Sequence, residues 1–182
     1  MYLISAYFDD AADKRIQRYI DCVAKRTGNT FMVDNAVPPH ITISSFEMNV
    51  KYEQQLADIL REKFLKINSG DIQCVSVGTF FPFVIYLAFV LNSYLHEMSL
   101  DIYDCIMQID DIKVSPCYRP LCWMPHATVG KKLARDEMVL AFQVLQNQFG
   151  PFSGQITKIG LAKTNPYRDL EQITLLSILD KC

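Results

Sequence analysis

Pro39-His40-Ile41-Thr42-Ile43 and Pro125-His126-Ala127-Thr128-Val129 are two copies of one pattern, and the rest of the chain is read outward from them. Side chains in a strand alternate between faces, so a His and a Thr two residues apart point the same way. Ile41, Ile43, Ala127 and Val129 would then face the opposite, buried side. Each copy presents one imidazole and one hydroxyl together. A lone His beside a Thr carries little weight. This chain, however, has only three histidines, and two of them share the Pro-His-x-Thr-aliphatic setting. Short motifs do recur by chance, but a repeat of both residue types and their surroundings is hard to reach that way. An ancient duplication whose site has lost its activity is the remaining alternative.

Around the two motifs lie four segments of helical periodicity. Asp10 to Thr27 places Ala12, Ile16, Tyr19, Ile20 and Val23 on one face, with Gly28 just past the end. Lys51 to Lys66 turns Leu56, Ile59, Leu60 and Phe64 inward. A third helix begins near Asn92, with Leu95, Met98, Ile102, Cys105, Ile106 and Ile109 on its stripe. A fourth spans Arg135 to Phe149 and stops at Gly150-Pro151. Between them, β-branched and aromatic enrichment marks strands at Tyr2–Phe8, His40–Phe46, Ile72–Val77, Phe83–Val90, Pro125–Lys131, Gln155–Ala162 and Gln172–Leu179.

In chain order these elements repeat. Strand, helix, Pro-containing linker, Pro-His-x-Thr strand, helix and strand occur once before Phe83 and once after it. The expected fold is α+β: an internally duplicated, two-lobed domain with mostly antiparallel sheets around a central groove and helices on the outside. Residues 1–182 form a single domain in this reading, with repeat halves at roughly 1–80 and 81–182.

Composition narrows the function. Proteins that grip long duplex nucleic acid usually carry a basic face; a net charge of −2 favours a small or short substrate instead, while leaving room for a local basic patch. The longest apolar stretch, Phe80 to Leu91, is too short for a membrane span and contains Pro82. The apolar run from Tyr2 to Phe8 has no basic residue before it and reads as a first strand, not a signal peptide. The six cysteines show no Cys-x-x-Cys pair and are expected to be free thiols in a reducing cytoplasm. Their spacing relative to the histidines fits no usual zinc pattern.

Two imidazoles and two hydroxyls facing one groove suit phosphodiester chemistry. In-line displacement at phosphorus needs a base on the attacking oxygen and an acid on the leaving oxygen, on opposite sides. Imidazole titrates near neutral pH, so one ring can be neutral while the other is protonated. The Thr hydroxyls can hold non-bridging oxygens as charge develops. No cofactor and no metal is required by this scheme. The expected catalytic residues are His40, Thr42, His126 and Thr128.

The paired motifs and the duplicated layout resemble the 2H phosphoesterase superfamily, most closely its 2′-5′ RNA ligase-like branch. The resemblance extends over nearly the whole chain, including Gly78-Thr79-Phe80-Phe81-Pro82 and the approach from Arg119-Pro120 to Pro125-His126. It implies that His40 and His126 are the acid-base pair, that Thr42 and Thr128 hold phosphate, and that the substrate is a cyclic phosphate, a 2′-5′ linkage or an RNA end. The implied partner is a nucleotide or RNA end, with no membrane and no metal, and the protein is expected to be a monomer. Relatives often carry Arg three residues after the second Thr. Here Lys131 stands there, cationic but not bidentate, as a candidate substrate-binding residue. Strict alternation puts Lys131 on the face opposite His126, so that role requires a bulge or twist. After the first motif, Ser44-Ser45-Phe46 replaces the relatives' small-aromatic-Leu-Gly run.

Other candidates are weaker. His96 reads as a partly exposed helix residue. Trp123, Tyr118 and Tyr167 could stack on a base but fit core or loop packing better. Lys131-Lys132, Arg119, Lys163 and Arg168 could form a phosphate-attracting rim or a plain solvated surface. A nucleotide- or RNA-end-binding module that kept the groove without turnover is the rival functional reading.

Overall fold

The first strand pairs on both edges, which places the amino-terminal segment at the heart of the sheet. In the computed structural model, residues 1–164 and 167–177 are described. The elements are β1 (Tyr2–Phe8), α1 (Asp10–Thr27), α2 (Phe31–Asp34), β2 (His40–Glu47), α3 (Glu53–Phe64), β3 (Gly70–Phe80), β4 (Val84–Phe89), α4 (Ser93–Ile106), β5 (Lys113–Val114), β6 (His126–Lys131), α5 (Arg135–Gln148), β7 (Phe152–Lys163) and β8 (Arg168–Thr174). The strands form one eight-stranded sheet in the order β5-β2-β1-β7-β3-β4-β6, with β8 added beside β7. All named strand pairs are antiparallel.

The order is a palindrome. Exchanging β1 with β4, β2 with β6 and β3 with β7 turns β2-β1-β7-β3-β4-β6 into itself. The duplication is thus a pseudo-two-fold relation centred on the β3–β7 pair. Along one edge of β7, Phe152–Ile156 pairs with β3 and Lys158–Lys163 pairs with β8, while β1 occupies the other edge. The sheet forks at that point into two lobes. The helices cross between repeats: α1 and α5 pack together over β6 and β4, and α3 and α4 pack together against β8 and β2. Each lobe is therefore covered by one helix from each repeat, which explains why neither half could bury its apolar face alone.

Local chemistry explains the helix ends. Asp9 caps α1, its carboxylate accepting from the Ala11 and Ala12 amides at 2.9 and 3.0 Å. Gly28 closes that helix in the left-handed region at φ 76°, where glycine carries no steric penalty. Asn92 caps α4 in the equivalent place, accepting from the Leu95 amide at 2.9 Å. Helix stripes and strand faces merge into one core that includes Ile4, Ile16, Ile41, Ile43, Leu56, Leu87, Ala127 and Val129. Each fully buried Ile or Leu there contributes about 1.5–3 kcal/mol relative to exposure.

Some details depart from the sequence reading. The second helix opens with a single 3-10 turn, Val50–Tyr52, before α3. The short β5 and α2 lie in stretches read as linkers; a two-residue strand and a one-turn helix carry too few residues for periodicity to register. The last strand starts at Arg168, ahead of the expected Gln172, and ends at Thr174. Ile178 and Leu179, assigned to it from sequence, lie outside the described residues.

Candidate active site on the paired His-x-Thr strands

Both motifs sit at the same place in their strand pairs, β2 on β1 and β6 on β4, and each runs into the same irregularity. Thr42 lies opposite Ser5 and Ser44 opposite Ile4, so Ile43 is an extra residue in β2. Thr128 lies opposite Tyr86 and Gly130 opposite Ile85, so Val129 is an extra residue in β6. A bulge of this kind shifts the alternation by one and re-aims the side chains beyond it. Lys131 consequently pairs with Val84 and joins the face that carries Ala88 and Tyr86, the partners of His126 and Thr128. The bulge that Lys131 required is present. Its counterpart in the first repeat is Ser45, opposite Leu3. The cation is therefore supplied from one side only.

The two histidines are held alike. The Nδ1–H of His40 donates to the Pro38 carbonyl at 2.8 Å, and that of His126 to the Met124 carbonyl at 2.8 Å. A carbonyl can only accept, so each ring keeps its hydrogen on Nδ1 and has Nε2 as its accepting nitrogen. The prolines shape this: Pro39 and Pro125 are buried just before each strand, and the chain turns so that a ring meets the carbonyl two residues back. The sheet curls far enough for β2 and β6 to approach within 8 Å between Cα atoms although no ladder joins them.

Electrostatics tie the repeats together. Burial pushes His40 below the ordinary imidazole value; the Pro38 carbonyl opposes that, the charges of His126 and Lys131 lower it further, and Asp169 raises it. Burial likewise lowers His126, against the Met124 carbonyl. His40 thus feels the charges of both His126 and Lys131, which lie in the other repeat. Thr42 is buried beside Tyr118, whereas Thr128 is half-buried.

The surroundings of the two rings differ. Tyr7 lies 6.3 Å from the His40 ring, its hydroxyl 3.3 Å from that of Tyr167, which donates to Asp169 at 2.7 Å. His126 sits among hydrocarbon: Phe80 meets it edge-on at 4.8 Å and Tyr86 at 5.3 Å, while Phe80 and Tyr86 stack at 4.3 Å. Glycines make these arrangements possible. A Cβ on Gly78 would come 2.6 Å from the Tyr86 ring, and one on Gly160 would come 2.8 Å from the Tyr7 ring. The sequence reading did not single out Tyr7, Tyr86 or Asp169. The only local signal was a glycine within each third strand, a mark of close approach.

Of the weaker candidates, Trp123 is buried in the core cluster and presents no face to a ligand. Lys163 and Arg168 both pair with Glu53, at 3.2 and 3.3 Å, and Lys132 lies over the Phe31 ring at 4.4 Å. Arg119 is exposed and His96 half-buried in α4. The five described cysteines are free thiols; Cys182 lies outside the described residues. Among the described residues, no three His, Cys, Asp or Glu side chains are grouped as metal ligands, and no helix is long and apolar enough to cross a membrane.

A duplicated α+β sheet presenting two His-x-Thr strands on one curved face is the architecture of the two-histidine phosphoesterases. The chain belongs to the 2′-5′ RNA ligase superfamily, whose family profile matches residues 8–168. The fold is shared with TT0787 of Thermus thermophilus, at 11% identity and a TM-score of 0.63, covering 97% of this chain and 98% of that one. It is also shared with Escherichia coli LigT complexed with 3′-AMP, at 11% identity and a TM-score of 0.57, covering 96% and 97%. A further structure described as a phosphoesterase aligns at 14% identity and a TM-score of 0.63, covering 96% and 98%. No curated protein matches the chain in sequence.

Proposed function

We propose that this protein is a metal-independent phosphoesterase that acts on 2′,3′-cyclic or 2′-5′ phosphodiester bonds of nucleotides or RNA ends. The observation that carries the reading is the matched pair of imidazoles, each fixed through Nδ1 by a carbonyl two residues earlier. One neutral Nε2 takes the proton of the attacking oxygen. That oxygen bonds to phosphorus, the opposite P–O bond breaks, and the other imidazole, protonated at the outset, gives its proton to the departing oxygen. Thr42, Thr128 and Lys131 hold the non-bridging oxygens as negative charge builds on them. Reversal of the same steps joins the ends, so one geometry serves cleavage and ligation.

Family membership supports phosphoesterase-type chemistry on nucleotides or RNA. Escherichia coli LigT has been solved with 3′-AMP and with ATP, which agrees with a nucleotide substrate for the present chain. The free cysteines fit a reducing cytoplasm, and burial pushes the Cys74 thiol up to about 12 and Cys105 up to about 11, which keeps both inert. The reading is tested with a panel of 2′,3′-cyclic mononucleotides, 2′-5′ dinucleotides and RNA ending in a cyclic phosphate, all with EDTA present. Turnover of at least one class is expected. No turnover of any, or turnover only after a divalent ion is restored, contradicts it.

A further inference from the structure

Three aromatic rings touch the two imidazoles: Tyr7 at His40, and Tyr86 and Phe80 at His126. Tyr7 is 8% exposed and Tyr86 7%, but Phe80 is 42% exposed. One face of the Phe80 ring lies on Tyr86 and one side meets His126, and the remaining surface is open to solvent. This ring is not loose. Tyr86 lies flat in the space that Gly78 leaves without a Cβ, and Phe80 is stacked on it from the same strand face.

The pseudo-symmetry supplies a control within the molecule. Gly78 and Gly160 are equivalent, each lying beneath a tyrosine ring, and Phe80 then corresponds to Ala162. Phosphate chemistry needs both repeats alike at His and Thr. It does not need a phenyl ring at one end and a methyl group at the other. The His40 side also ends in hydroxyls and the Asp169 carboxylate, which suit a polar group and repel a second anion.

We propose that the open face of Phe80 is a nucleobase-stacking platform, and that it orients the substrate with its base beside His126. This inference rests on the phosphodiester reading above. Stacking on a phenyl ring recognises any base, because every base has a π-face. The site would therefore require a base without choosing strongly among bases. Phe81 and Phe83 are also exposed at the same hairpin tip, and a longer RNA end could extend onto them.

The test compares adenosine 2′,3′-cyclic phosphate with methyl riboside 2,3-cyclic phosphate, which lacks the base, on wild type, Phe80→Ala and Phe80→Trp. Stacking on one aromatic is expected to favour the nucleotide about ten- to a hundredfold in kcat/KM, mostly through KM. Phe80→Ala should collapse that ratio toward one, and Phe80→Trp should restore it. Equal use of both compounds by wild type overturns the proposal. So does a Phe80→Ala protein that loses the same factor on both, since the ring would then merely pack His126. If wild type turns over neither compound, cyclic monophosphates are not its substrates, and the phosphodiester reading fails only if the rest of the panel above is inert as well. The platform is then judged by binding alone: adenosine 2′-monophosphate should bind wild type about tenfold or more tightly than Phe80→Ala, and equal affinity overturns it.

Discussion

Lys131, at the end of one motif's strand, bears on the imidazole of His40 in the other motif and opposes its protonation. The interaction crosses the pseudo-two-fold relation and exists only because the Val129 bulge turns Lys131 onto the histidine face. One residue added to a strand thus joins two halves of a site.

Removing that charge has a signed consequence. In Lys131→Met, His40 should bind its proton more readily, so the limb of the pH–rate profile that His40 sets should move to higher pH. Substrate phosphate also loses a charged hydrogen bond, worth about 1.5–3 kcal/mol, so KM should rise about ten- to a hundredfold. Lys131→Arg should recover most of both effects. A profile that stays in place, or moves to lower pH, means Lys131 does not face the pair.

Protein stability should also report the two half-buried rings. Burial lowers both folded-state values below those of the unfolded chain, so the unfolded state binds protons first as pH falls. Their contribution is fully present above the unfolded value of about 6.5 and is lost as pH drops through the lowered folded values. Urea denaturation across that window should show wild type losing stability toward acid, and His40→Gln/His126→Gln losing less. Equal slopes for the two proteins would contradict the burial of the rings.

Gly78→Ala probes the aromatic floor. A Cβ at 2.6 Å from the Tyr86 ring must displace it, and overpacking of this kind costs about 1–3 kcal/mol. The displaced ring should push on Phe80 and His126, so kcat should fall together with the denaturation midpoint. An ordinary Gly→Ala replacement at an unstrained site instead stabilises by about 0.4–1 kcal/mol. Stabilisation at Gly78 would show that Tyr86 does not occupy that space.

The sequence was informative wherever a period or a repeat carried the signal. The α1 and β1 limits, the duplication and the His-x-Thr faces all follow from alternation, capping and self-similarity within short windows. Lys131 marks the boundary of that method. Alternation alone puts it on the wrong face, and the need for a bulge could be stated but not located. Tyr7, Tyr86 and Asp169 were missed for a different reason. Their relation to the histidines depends on cross-strand register and on how β8 folds back over β7, which no local pattern encodes. Lys163 and Arg168 looked like phosphate-seeking cations, but Glu53 in α3 pairs with both.

The two-histidine mechanism is tested most directly by kcat for His40→Ala, His126→Ala and the double variant, on one turned-over phosphodiester with EDTA present. General acid or base catalysis is worth about 10²–10⁴-fold, so each single variant should lose that much in kcat with little change in KM. Because the two rings act as a unit, the double variant should lose little more than the worse single. A folded His126→Ala protein that keeps near-normal turnover would contradict the mechanism, and the groove would then be read as a binding site without catalysis.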